Sequence, residues 1–192
     1  MIVHLNGWPG VGKRTVGAAL AARLGGRFVH NHLLHDVAIV CAGRGSADYW
    51  SVYERVRAAA YDGLANRPQV EVFVMTNALC RNTAVEVAAW GHVVDLAIRR
   101  AVPLVPVVLN VLPEENARRV QSAERVGRKL SDPEVLFGYF ARDTIQVPDL
   151  PETLELDATA LSPDEAAARI AAHLDVVRPA LRPATPWHLA LR

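Results

Sequence analysis

Cysteine is scarce. Cys41 and Cys80 are the only two among 192 residues, too few for a disulfide framework and not spaced as a C-x-x-C pair. Both are expected to be small buried residues with inert thiols. No charge of one sign dominates: lysine and arginine number 21 against 20 acidic residues, a net charge of +1. That balance gives nucleic acid or an anionic membrane no global attraction, and neither is expected as a partner. Long apolar runs are also missing. The longest, "AVPLVPVVLNVL" (101–112), carries two prolines and is too short to span a bilayer. The opening "MIVHLNGW" has neither the basic stretch nor the apolar core of a secretion signal. The expectation is a soluble, cytoplasmic protein.

What the chain does have is strands alternating with helices. "IVHLN" (2–6) reads as an apolar strand, and Val16, Ala19, Leu20 and Leu24 recur at helical spacing until Gly25 and Gly26. Further strands are expected at 27–30, 70–76, 104–111 and 153–158. Helices are expected over about 33–42, 46–65 (possible cap Ser46) and 83–101, and after Pro113. Two more begin at capping boxes, Ser131 with Glu134 and Ser162 with Glu165. Parallel neighbours need crossover connections, so the class is α/β: three α/β/α layers around a five-stranded parallel sheet. Residues 1–177 are expected to form one domain with a lid at about 116–145. The proline-interrupted 178–192 should be a tail that wraps the surface or frays. The helix at 46–65 either closes a core or meets a second copy, which leaves a homodimer open.

The first strand runs into "GWPGVGKRT", Gly7 to Thr15. The spacing is that of a phosphate-binding loop, G-x-x-x-x-G-K-[ST], except that Arg14 stands where a magnesium-binding hydroxyl is expected and Thr15 follows one place late. Gly7, Gly10, Val11 and Gly12 would turn backbone N–H groups toward a phosphate at the positive end of the next helix, with Lys13 reaching its outer oxygens. The third strand does not end in an acidic residue and no N-K-x-D stretch is present, which disfavours a motor ATPase or a GTPase switch.

"GWPGVGKRT" resembles the loop of the P-loop small-molecule and nucleoside kinases, adenylate kinases among them, in which threonine also comes one place after the usual hydroxyl position. The chain order is similar to that of gluconate and shikimate kinases, of uncharacterised bacterial P-loop proteins, and of phosphotransferases acting on chloramphenicol or tunicamycin. That resemblance implies a P-loop fold with a helical lid and ATP with Mg2+ as cofactors. It also implies a phosphotransferase acting on a hydroxyl of a small metabolite or natural product. Thr15 and Arg14 would then flank the nucleotide phosphates, and the metal would rest mainly on nucleotide oxygens and water.

"FVHNHLLHD" (28–36) lies where the relatives carry an aspartate that deprotonates the acceptor; His32 takes that place, and His35 matches a histidine of the gluconate-kinase pattern. An imidazole suits a general base near neutral pH, so His32 is the candidate base and Asp36, one helical turn on, the fallback. His30, Asn31, His35, Asn77 and Arg81 are the remaining candidate acceptor contacts. "NARRVQSAERVGRKL" (116–130) resembles the arginine-bearing lid. Arg119, Arg125 and Arg128 are its expected contacts, with Arg125 and Arg128 joining Lys13 in neutralising the transferring phosphoryl group. Asp157 and Thr159, after the fifth strand, would contact the base. The three histidines have no cysteine or carboxylate at a recognised ligand spacing, and no resident metal site is expected. Two alternatives stay open: a nucleotide-binding regulatory or interaction protein without transfer activity, and a nucleoside or nucleotide kinase using Arg44, Arg55 or Arg57.

Overall fold

The computed structural model describes residues 1–122 and 130–191, the side chain of Trp187 excepted. Five strands, β1 (Ile2–Asn6), β2 (Arg27–His30), β3 (Phe73–Thr76), β4 (Leu104–Asn110) and β5 (Leu154–Asp157), form one parallel sheet in the order β2-β3-β1-β4-β5. The register sets Ile2 against Phe73 and against Leu104. The helices are α1 (Lys13–Leu24), α2 (His32–Ala42), α3 (Tyr49–Ala65), α4 (Ala84–Arg99), α5 (Pro113–Val120), α6 (Pro133–Arg142) and α7 (Pro163–Val177). The three-layer architecture expected from the alternation of strands and helices is present.

Strand parity sorts the core into two slabs. Val3, Leu5, Val74, Val105, Val107 and Leu109 pack under α1 and α7, while Ile2, Phe73, Met75 and Leu104 pack under α2, α3 and α4. Burying each such side chain stabilises the fold by roughly 1.5–3 kcal/mol. β1 lies where the strand order changes direction, and the crevice beyond the carboxyl ends of β1 and β3 is where a ligand is accommodated in such sheets.

Several boundaries differ from expectation for identifiable reasons. β3 begins at Phe73 because 68–71 is a turn. Arg100, 2% exposed, donates to the carbonyls of Leu64, Arg67, Pro68 and Glu71 and lies over the Phe73 ring at 4.1 Å. α3 begins at Tyr49 with Asp48, not Ser46, at the cap position. α6 is capped by Asp132, whose carboxylate accepts from the Glu134 N–H, so the expected Ser131 box is displaced by one residue. The Ser162–Glu165 box forms as expected. Cys80 is buried, which drives its thiol up to about 12, but Cys41 is exposed on α2.

The final residues dock. Ala184 N–H donates to Val102 O (2.9 Å), the buried Trp90 indole donates to His188 O (3.0 Å), and His188 Nε2 lies 3.0 Å from Glu152 Oε1. No helix among the described residues is long and apolar enough to cross a membrane.

Candidate functional site

A cleft of about 1460 Å³ runs along the carboxyl ends of the strands from the 7–15 loop to α2 and the 43–49 segment. At one end the chain leaves β1 and arches over the start of α1. Gly7 has φ 141° and Gly10 φ 97°, values that L side chains rarely adopt. A Cβ on Gly10 would stand 2.3 Å from Asn116 Oδ1 on α5, and one on Gly7 would stand 2.4 Å from Leu109 O. At Gly7 and Gly10 the loop is therefore pressed against β4 and α5 with no room for a side chain. Its N–H groups stand at the start of a 12-residue helix, a ready anion site.

Lys13 Nζ donates to Gly7 O (2.6 Å) and Trp8 O (2.8 Å), holding the ammonium within the arch. Thr15 Oγ1 donates to Gly12 O, and Arg14 and Thr15 are exposed on the cleft wall. Arg119 ties three segments together. Its guanidinium donates to Val11 O on the loop, to Ala158 O and Thr159 O after β5, and to Glu115. Asp157 and Thr159 shape that β5 loop. Asp157 Oδ1 accepts from the Thr159 N–H and hydroxyl, bonds that hold its carboxyl below the ordinary range, and Thr159 Oγ1 accepts from Leu112 N–H. Ala158, not Asp157 or Thr159, lines the cleft.

The other end is built on β2, α2 and the start of α3. His30, Asn31, His32, His35, Ile39, Arg44 and Tyr49 line it, with Thr76 and Asn77 from the end of β3. His32 is exposed at the first turn of α2, its ring centroid 6.4 Å from His30 and 6.3 Å from His35. Asn31 faces inward: its Oδ1 accepts from Tyr53 Oη (2.8 Å) and its Nδ2 lies 3.0 Å from His35 Nε2. His35 Nδ1 is 2.5 Å from Tyr49 Oη, and its ring stacks on Tyr53 at 4.3 Å. Burial lowers the His35 pKa and raises those of Tyr49 and Tyr53, the latter to about 12. Neutral forms are favoured throughout the group.

Asn77 Oδ1 is already engaged by His4 Nε2 (2.9 Å), a histidine 1% exposed inside β1. Burial lowers its pKa to about 4, with the Asn77 bond opposing and Lys13 adding to the shift. Asn6, two residues on, pins the segment after β3, accepting from Leu79 N–H and donating to Leu79 O and Gln146 O.

Not every candidate reaches the cleft. Arg81 stays outside it and exposed, because its N–H donates to Thr144 O and its segment follows the antiparallel Cys80–Ile145 bridge. Asp36 is exposed on α2 and does not line the cleft, although it is one turn from His32. Arg125 and Arg128 lie outside the described residues. Arg118 does line the cleft, paired with Glu115. Sequence reasoning passed over His4, Asn6, Tyr49 and Asn116. The available signal for the first two was a pair of polar residues at alternate positions of a strand otherwise entirely apolar.

The chain matches no protein-family model and no curated protein. Its fold matches solved structures over almost its whole length. A protein of Chloroflexus aurantiacus provisionally assigned as a kinase superposes with TM-score 0.66 at 16% identity, covering 91% of this chain and 96% of that one. A gluconokinase of Sinorhizobium meliloti gives TM-score 0.59 at 20% identity, covering 93% of each chain. A shikimate kinase of Acinetobacter baumannii in complex with shikimate gives 0.53 at 15%, again covering 93% of each. At these identities the likeness establishes the fold.

Proposed function

We propose that the protein is an ATP-dependent kinase that phosphorylates a hydroxyl of a small molecule. The observation that carries this reading is one continuous cleft joining an anion-binding loop, with Lys13 inside its arch, to a polar pocket of a different composition. Two sites in one trough fit the joining of two substrates. The fold shared with a gluconokinase and a shikimate kinase supports it.

The loop residues fit a nucleotide phosphate. Three positive-φ glycines, two of them with no room for a Cβ, shape the turn into α1, where N–H groups are free to meet an anion, and Arg119 donates to Val11 O beside it. Lys13 and Arg119, with the lid arginines expected at 125 and 128, would neutralise charge on the phosphoryl group as the acceptor oxygen bonds to the γ-phosphorus. The bond from that phosphorus to the β–γ bridging oxygen breaks, and ADP leaves. His32, at the mouth of the pocket, would take the acceptor's proton. Bound Mg2+ would supply further charge neutralisation on the phosphates. None of the described cleft-lining residues is acidic, so the metal would rest on phosphate oxygens, water and the Thr15 hydroxyl.

That same lack of acid favours a second reading, nucleotide binding without transfer. The two part on a direct test: Mg-ATP with a broad panel of hydroxyl compounds, wild type beside Lys13→Ala and His32→Ala. The kinase reading expects a phosphorylated product from wild type, with Lys13→Ala slowed about 100-fold or more and His32→Ala about 100-fold. ATP binding with no product from any acceptor would favour the second reading.

A further inference from the structure

We infer that Arg14 is a built-in counter-cation for the outer phosphates of the nucleotide, so that ATP binds with nearly equal strength whether or not Mg2+ accompanies it. The inference rests on the reading of the 7–15 loop as a nucleotide site and adds how that site meets the nucleotide's charge.

Position is the first argument. In the pattern G-x-x-x-x-G-K-[ST] the residue after the lysine supplies a hydroxyl to the metal that bridges the outer phosphates. Here that residue is Arg14, a cation where a metal ligand is expected. It lies in the first turn of α1, exposed, and lines the cleft. The first turn carries no acidic residue, so Arg14 adds its charge to the positive end of the helix. That placement costs the helix stability on its own and is relieved when an anion binds. Consecutive helical residues do not face each other. Lys13 Nζ turns back to Gly7 O and Trp8 O, whereas Arg14 makes no hydrogen bond or ion pair to another described residue.

Charge is the second argument. Lys13, Arg14, Arg118 and Arg119 line the loop end of the cleft, and none of the described lining residues is acidic. Arg118 and Arg119 are each paired with Glu115, which offsets part of their charge. Nothing among the described residues offsets Arg14 in that way. A planar guanidinium can donate to two phosphate oxygens at once, and it repels a dication at those same oxygens. A surface of this kind complements ATP carrying its full charge. It gains little from a metal that neutralises part of that charge beforehand.

The test is calorimetric titration of the full-length protein with ATP, in excess Mg2+ and in EDTA, for the wild type, Arg14→Ser and Arg14→Lys. The wild type is expected to bind ATP with affinities within about threefold of each other in the two media. Arg14→Ser restores the hydroxyl of the pattern. It should lose about tenfold or more of the affinity in EDTA, and Mg2+ should recover most of that loss. Arg14→Lys keeps the charge without the fork and should fall between the two. Arg14 is exposed, and melting temperatures matching the wild type verify that both variants fold. Wild-type binding weakened about tenfold or more by EDTA, or metal-free binding unchanged in Arg14→Ser, would overturn the inference and leave the kinase standing. Metal-free, Arg14-dependent binding with no phosphorylated product from the acceptor panel would uphold the inference and count against the kinase. Absence of ATP binding by the wild type in either medium would overturn both.

Discussion

His4 shows how one side chain couples the interior to the cleft. It is enclosed inside β1, touches the Trp90 ring at 5.2 Å and holds Asn77 from behind. Its folded pKa is about 4 against an ordinary 6.5, so as pH falls the unfolded chain takes up this proton first. The stabilisation is therefore complete above about pH 6.5 and is lost as pH falls toward 4, by up to about 3 kcal/mol. Glu71 and Glu115, each held near 2 by arginine hydrogen bonds, lose their contribution only as pH falls below the ordinary 4.5, which leaves the upper part of that window to histidine and to the Met1 amine, lowered by burial to about 6. Urea unfolding between pH 7.5 and 4.5 should show stability falling with pH, and His4→Gln should flatten the slope. An unchanged slope in the variant would assign the effect elsewhere, His35 being the next histidine whose pKa burial lowers.

Among the elements, the contact of the 7–15 loop with α5 is a tight constraint. Asn116 is fully buried against Gly10, and its amide has no hydrogen-bond partner among the described residues. A methyl at position 10 would meet Asn116 Oδ1 at 2.3 Å and Val120 Cγ1 at 2.6 Å. Gly10→Ala should cost about 1–3 kcal/mol in unfolding free energy and weaken ATP binding in the same protein. Adding Asn116→Ala should recover part of the stability, because one of the two collisions is removed. The cap of α6 offers a cleaner comparison. Asp132→Ala should cost about 1 kcal/mol in a denaturant titration, whereas Ser131→Ala should change little. A reversed order would restore the Ser131 box that the sequence suggests.

In the molecule as a whole, the C-terminal residues close the α4 side of the core. Trp90 is 2% exposed, and its indole N–H is satisfied by the His188 carbonyl. Removing residues 182–192 should uncover that ring and leave its N–H without this partner. The expected loss is about 2–4 kcal/mol, seen as a melting temperature lower by roughly 5–15 °C. A truncated chain that melts with the full-length protein would show the docked tail to be dispensable.

Local pattern carried the architecture. Strand-helix alternation, the glycine spacing of 7–12 and the Ser162–Glu165 box are properties of neighbouring residues, and each appears in the structure where the spacing puts it. What local pattern could not reach were the partners brought from far along the chain. Arg100 turns 68–71 away from β3, the 144–145 segment holds Arg81 outside the cleft, and Tyr53 and Tyr49 come from the next helix to orient His35. Spacing along a chain determines backbone geometry, because φ, ψ and side-chain period are local. Which side chain finds which partner depends on how the layers pack, and packing joins residues that the sequence keeps apart.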